Sequence, residues 1–212
     1  LEVSGVSHFL EHMMFKGTEK RSALDITYNL AEIGAQANAY TSEENTVYYA
    51  SIRPDYFSDC FDILSDMLRP SLDQKEFDVE KQVILEEIAL YQDRPTHILF
   101  EKTMQEFFKG HTAGNSVLGT IDSITALSSE QMKEYFDRRY SPSNIVLSVC
   151  GNYDWDELVD LANKTCSSWQ NFEATRDTSA HSPQNITEVI YKENLQSAHL
   201  CMASLGPSAQ DE

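Results

Sequence analysis

Two histidines and a glutamate near the start of the chain have the types and spacing of a metal-dependent hydrolytic site. His8, Glu11 and His12 form an HxxEH motif. On a helix, residues four apart lie on one face, so both imidazoles would meet one metal ion beside Glu11. Imidazole nitrogen is a favoured zinc ligand, and a catalytic zinc site keeps one position open for water. Bound zinc lowers the pKa of that water towards about 7, and the carboxylate then serves as general base.

The apolar residues around the motif favour a metal site over a chance match. A bare HxxEH also occurs on solvated helix faces, but Phe9, Leu10 and Met13 predict a helix that is buried on most sides. Buried polar groups are costly unless they have a partner, so a buried His–Glu–His set indicates a ligand. The HxxEH order is also the signature of the inverzincins, the reverse of the commoner HExxH order.

A third metal ligand is required, because two histidines alone would bind zinc weakly. The best source is Glu86-Glu87, which lies in an apolar stretch of a second predicted helix. The same pair also fits a solvated helix edge, and the local pattern leaves the choice between the two glutamates open. Glu80 lies two helical turns before Glu87 on nearly the same face, where it would orient a ligand from behind.

Hydrophobic periodicity and turn signals place the motif within an α+β fold, because helices and strands mix without a regular βαβ alternation. Helices are predicted at residues 6–16, 22–33, from 54 onward, 74–92, 97–108, 128–140 and 155–169. Strands are predicted at residues 35–42, 46–52, 144–150 and 188–205.

Finer features of these elements follow from individual residues. Asp73 is expected to cap the helix at 74–92, and the polar residues 42–45 are expected to form the turn between the first two strands. The polar segment 172–185 is the predicted linker. The helix after Pro54 is expected to bury an apolar stripe that includes Phe57, Phe61, Leu64 and Leu68.

Composition narrows the classes of partner. The chain carries 34 acidic and 16 basic residues, a formal charge of −18, which excludes nucleic-acid binding as a leading function. Such a charge attracts basic peptides, although it also fits a solvated, solubility-promoting surface. No apolar run approaches the roughly 18 residues that cross a bilayer. The four cysteines include no CxxC pair, so we expect reduced, mostly buried thiols.

The chain resembles the inverzincin family of pitrilysin, insulin-degrading enzyme and mitochondrial processing peptidase, most closely its bacterial processing-peptidase branch. The resemblance covers nearly the whole chain. It rests on four segments: residues 5–18 around the zinc helix, residues 33–42 as a substrate-binding edge strand, residues 83–88 as the helix of the third ligand, and residues 140–151.

The resemblance implies a zinc endopeptidase that hydrolyses peptides or presequences. It assigns His8, His12 and Glu87 to Zn²⁺, because the family carries its third ligand roughly seventy-five positions after the second histidine. The other implied roles are general base for Glu11, accessory glutamate for Glu80, and substrate contact for Asn38 and Ala39. The implied sheet is mixed or antiparallel and covered by helices, and an extended peptide would add to its exposed edge.

The resemblance also implies a second homologous half, in cis or in trans. We expect residues 1–183 to form the zinc-binding domain, with its first strands missing, and residues 184–212 to begin a truncated second domain. The chain starts at Leu1 without an initiator Met, so we expect a fragment or a processed product. Family members use an Arg and a Tyr from the second half, so the isolated chain should bind zinc but cleave peptides poorly.

Two other interpretations remain open at this point. One is a non-catalytic family member that serves as a structural or binding subunit, although such members usually lose motif residues. The other is an interaction domain with an accidental motif, which metal content would separate from the first two. The unpaired cysteines favour the bacterial cytoplasm, while periplasm or an organelle would also fit.

Overall fold

The fold is built from eight helices and one two-stranded sheet among the residues that the structure describes. This computed structural model describes residues 4–175, 181–183 and 185–207. The elements are α1 (Val6–Met13), α2 (Ala23–Glu32), β1 (Gln36–Thr41), β2 (Thr46–Ser51), α3 (Phe57–Met67), α4 (Gln74–Gln92), α5 (Pro95–Phe107), α6 (Ile121–Ala126), α7 (Ser129–Arg139) and α8 (Trp155–Cys166). The predicted α+β class is confirmed.

The main core forms around α1. Apolar side chains of α1 pack against those of α4 and the segment from α6 to α7; the buried members include Val6, Phe9, Leu10, Met13, Phe77, Ile84, Ile88, Ile124, Leu127 and Met132. The rings of Phe9 and Phe77 stack with their centroids 4.7 Å apart. Because α1 and α4 share this core, their polar residues at the same contact are held at fixed relative positions.

Gly5 permits this close packing at the start of α1. Its φ angle is +87°, in the left-handed region that favours glycine. A Cβ atom on Gly5 would lie 2.6 Å from the carbonyl oxygen of Leu118 and 2.7 Å from Cδ1 of Ile124. Any larger residue would therefore push α1 away from the segment that leads into α6.

The chain leaves α1 through a loop that is anchored to α3. The Thr18 hydroxyl donates to Asp66 over 2.7 Å. Arg21 donates to Asp66 over 2.7 Å and to Asp62 over 2.5 Å. The Asp66 side chain is 7% exposed, so its charge is stabilised mainly by these two donors. The loop consequently fixes the end of α1 against the second core cluster, which contains Ile26, Leu30, Ile63 and Met67.

Strands β1 and β2 form an antiparallel hairpin beside α1. Their register pairs Asn38 with Tyr49 and Thr41 with Thr46. The predicted polar turn is confirmed, since the Ser42 N–H donates to the Asn45 carbonyl over 2.8 Å. The side chains of β1 alternate between exposed and half-buried positions, which is typical of a strand with one face on a core. This hairpin lies next to the helix that carries the motif.

Two predicted strands do not form. Residues 145–150 form no strand, and Val146 is 91% exposed. Residues 188–205 also lack strand pairing, and Tyr191 is 93% exposed. A strand requires a neighbour for its backbone hydrogen bonds, and within the described ranges β1 and β2 pair only with each other. A composition rich in β-branched and aromatic residues was therefore not sufficient to predict a paired strand.

Other sequence predictions meet smaller corrections. The buried stripe of α3 consists of Cys60, Ile63 and Met67, while Phe57 and its predicted companions are only half-buried. Helix α6 was not predicted.

The predicted division into two domains is not tested by the described residues. These exclude residue 184, at the predicted boundary, and residues 176–180 of the predicted linker, so the division stays a prediction. No helix in the described part of the chain has the length and apolar character to span a membrane.

Candidate metal centre

Helix α1 presents His8 and His12 side by side, as their four-residue spacing predicts. The two ring centroids are 4.7 Å apart. The side chain of His8 is 11% exposed and that of His12 is 26% exposed, because the opposite face of α1 is packed into the core. The pair is therefore partly accessible to a solute, His12 more so than His8.

Helix α4 brings Glu87 to both histidines. Its Oε2 atom lies 3.7 Å from Nε2 of His8 and 3.8 Å from Nε2 of His12. One ligand atom from each of the three residues lies within 4.8 Å of the others. Glu86, the neighbour that the local pattern could not exclude, is exposed and is absent from this group. The contact between α1 and α4 thus places Glu87, and not Glu86, next to the motif.

The three residues fit a zinc ion by the chemistry of their donor atoms and by the spacing of those atoms. Distances of 3.7 and 3.8 Å are too long for hydrogen bonds, so the ligand atoms converge without bonding one another. Burial, with a further contribution from His12, lowers the pKa of His8 to about 4, so its imidazole is neutral as a metal ligand requires. Two imidazole nitrogens and one carboxylate oxygen are a donor set of catalytic zinc sites.

Glu80 holds His12 from the side away from Glu87. Its Oε1 atom lies 2.8 Å from Nδ1 of His12, and its Oε2 atom lies 2.6 Å from Nζ of Lys16. Burial opposes ionisation of Glu80, but the hydrogen bonds from His12 and Lys16 outweigh it and hold its pKa below the ordinary value. A carboxylate at Nδ1 leaves Nε2 as the metal-binding atom and fixes the ring orientation.

Glu11 lies between the histidines on α1 and outside the ligand group. Its residue is 9% exposed, and its Oε2 atom accepts a hydrogen bond from the Thr41 hydroxyl over 2.5 Å. The Oε1 atom takes no part in that bond, so it is the carboxylate oxygen that would exchange a proton. This arrangement can supply a general base beside a metal ligand set.

Asn38 and Ala39 lie in β1, on the strand that ends at Thr41. Asn38 is exposed, and its Oδ1 atom accepts a hydrogen bond from the Ala39 N–H over 2.9 Å. Among the described residues β1 pairs on one side only, with β2. An unpaired strand edge can accept an extended peptide, so the position is compatible with the substrate contacts that the sequence suggested.

Sequence reasoning missed two residues that touch the site. Lys16 follows His12 by four residues and lies just beyond the end of α1, and its spacing within the helix predicted at residues 6–16 is a signal that could have identified it. Thr41 and Ala39 share one face of β1 by strand alternation, but nothing local indicates that Thr41 would contact Glu11. That contact arises only from the packing of β1 against α1.

The layout of the site defines a class: a helix-borne HxxEH motif completed by a glutamate from a second buried helix. Comparison with known families gives the same answer. The family model described as insulinase (peptidase family M16) matches residues 2–121, and a model described as the peptidase M16 inactive domain matches residues 126–212. The chain therefore belongs to the insulinase family, peptidase family M16.

Relatives with similar sequences carry zinc protease names. An uncharacterized zinc protease of Bacillus subtilis is 34% identical over 209 residues, which cover 97% of this chain and 50% of that protein. An uncharacterized zinc protease of Rickettsia felis is 39% identical over 168 residues, covering 79% of this chain and 41% of that protein. The chain thus spans about half the length, or less, of these curated relatives.

Solved structures share the fold. A protease from Helicobacter pylori superimposes with a TM-score of 0.78 at 24% identity, covering 87% of this chain and 44% of that one. Pitrilysin gives a TM-score of 0.73 at 21% identity, covering 86% of this chain and 20% of that one. At these identities the comparison establishes the fold, and the chain corresponds to one part of each longer protein.

Proposed function

We propose that the protein containing this chain is a zinc-dependent endopeptidase, and that this chain carries its metal site. The observation that carries the proposal is the convergence of Nε2 of His8 and Nε2 of His12 on Oε2 of Glu87, with His12 held from behind by Glu80. The zinc protease names of relatives over 30% identical support the metal and the reaction class.

Each residue has a distinct part in this proposal. His8, His12 and Glu87 would hold Zn²⁺, and Glu80 would keep the His12 ring in its binding orientation. Zinc bound there supplies Lewis acidity, polarising the peptide carbonyl and making water a stronger acid. Glu11 takes a proton from the attacking water at Oε1 and returns it to the leaving amine nitrogen.

The substrate would bind as an added strand. The edge of β1 that is unpaired within the described part of the chain, with Asn38 and Ala39, offers backbone groups to an extended peptide, so binding demands little of the peptide sequence. The formal charge of −18 favours basic, presequence-like peptides through long-range attraction.

We also propose that a second homologous half, in cis or in trans, completes the site. We propose further that the protein acts in the cytoplasm.

Replacement of the proposed base gives a direct test. In the zinc-loaded protein that contains this chain and its second half, Glu11→Gln should keep its zinc and lower peptide hydrolysis by roughly 10²–10⁴-fold. Glu86→Gln makes the same change of charge at an exposed position and should leave the rate unchanged. A fluorogenic peptide assay beside metal analysis measures both. Zinc binding without hydrolysis in the parent would instead indicate a non-catalytic family member.

A further inference from the structure

The general base is held by a hydroxyl from the candidate substrate strand. The Thr41 hydroxyl donates to Oε2 of the buried Glu11 over 2.5 Å. A hydrogen bond to a carboxylate is shorter and stronger than one between neutral groups. Thr41 is the last residue of β1, so the strand that would receive substrate and the residue that would move the proton are joined directly.

Proton counting then gives the direction of the next bond. A threonine hydroxyl has one proton, and that of Thr41 goes to Glu11. Thr46 Oγ1 lies 3.3 Å from Thr41 Oγ1, so Thr46 must be the donor in that pair. The two threonines face each other as the last pair of the hairpin, which fixes their separation.

We infer that Thr41 is a positioning residue for Glu11, at the end of a one-directional hydroxyl chain that runs from Thr46 through Thr41 to Glu11. The inference rests on the proposed function. By holding Oε2, the chain leaves Oε1 of Glu11 as the oxygen that takes the proton. Donors aligned in one direction polarise one another, which strengthens the final bond to the carboxylate. A misplaced base loses rate because proton transfer requires hydrogen-bond distance.

The test compares two replacements that differ in one hydroxyl. Thr41→Val keeps the β-branched shape and removes the hydroxyl, whereas Thr41→Ser keeps the hydroxyl. In the zinc-loaded protein, Thr41→Val should lower kcat by roughly 10–100-fold with little change in KM or zinc content. Thr41→Ser should stay within about threefold of the parent. Thr27→Val makes the same replacement at an exposed position of α2 and should not change kcat.

A melting-temperature cycle reports on the same contact without any activity measurement. In this chain, Thr41→Val should lower the melting temperature by about 3–12 °C, as expected for the loss of a hydrogen bond to a charged group in a protein of this size. In a Glu11→Ala background the same replacement should lower it by less than half as much, because the partner is gone.

Distinct results separate this inference from the proposed function. Parental kcat in Thr41→Val would overturn the positioning role and leave the peptidase proposal standing. Equal rate losses in Thr41→Val and Thr41→Ser, or loss of zinc in Thr41→Val, would overturn it by showing a packing role instead. An inactive parent would refute the proposed function, and the melting-temperature cycle would still decide whether Thr41 holds Glu11: equal shifts in both backgrounds would show that it does not.

Discussion

Replacement of Glu80 by Gln should weaken zinc binding without removing any metal ligand. The Glu80 side chain is 4% exposed and lies between Nδ1 of His12 at 2.8 Å and Nζ of Lys16 at 2.6 Å. Glutamine preserves the size of the side chain but removes the negative charge that orients His12. Carboxylates behind a metal-bound histidine contribute roughly 10–100-fold to metal affinity, or about 1.4–2.7 kcal/mol.

Lys16 should act on zinc through Glu80, with a smaller effect. Its side chain is 31% exposed, so solvent screens its charge, and Lys16→Met should weaken zinc binding by less than about tenfold. If Lys16 acts only by holding Glu80, the double variant should bind zinc about as well as Glu80→Gln alone. Lys20→Met removes the same charge from a side chain that is 69% exposed and serves as the control for Lys16.

Competition with a chromophoric chelator at fixed pH and ionic strength measures these affinities on the chain itself. Glu86→Gln is the matched control for Glu80→Gln, because it removes one negative charge from an exposed position of the same helix. Zinc affinity unchanged in Glu80→Gln would refute the reasoning. So would an equal loss in Glu86→Gln, since the effect would then come from net charge and not from the contact with His12.

Two further predictions concern the structure that supports the site. Asp66→Ala should lower the free energy of unfolding by about 2–3 kcal/mol, because Thr18 and Arg21 lose a buried acceptor. Calorimetry should show this as a fall in melting temperature of roughly 4–12 °C. Asp59 is exposed, so Asp59→Ala should lower the melting temperature by much less, and an equal fall would contradict the account. Burial raises the pKa of Tyr140 to about 12, so the unfolded chain loses this proton at a lower pH than the folded chain does. The contribution of Tyr140 to the free energy of unfolding is therefore complete below about pH 10 and is lost between about pH 10 and 12. Urea unfolding between these pH values should show a smaller fall in the free energy of unfolding for Tyr140→Phe than for the parent. An identical dependence on pH in the two proteins would contradict this prediction.

Local sequence signals predicted the long helices well. Helix α4 begins and ends at Gln74 and Gln92 as predicted, because Asp73 accepts from the N–H groups of Lys75 and Glu76 and the apolar period is long. Helix α6 was missed because its six residues are too few to show a period, although Thr120 caps it. The strands predicted at 144–150 and 188–205 failed because pairing depends on a partner that local composition does not reveal.

The candidate site could be predicted from the sequence only in part, because some of its contacts depend on tertiary packing. His8 and His12 follow from spacing within one helix, whereas the choice of Glu87 over Glu86 depends on which face α4 turns to α1. The structure places Glu86 in solvent and Glu87 beside the histidines. The bond from Thr41 to Glu11 joins residues from a strand and a helix, so it depends on tertiary packing that no local pattern encodes.

Metal analysis of the purified, metal-replete chain is the most direct test of the central claim. We expect near-stoichiometric zinc by mass spectrometry in the parent, with the zinc lost or sharply reduced in both His12→Ala and Glu87→Gln. Glu86→Gln should retain it, because that side chain is exposed. A parent without zinc, or loss of zinc in Glu86→Gln with retention in Glu87→Gln, would contradict the assignment of the metal site.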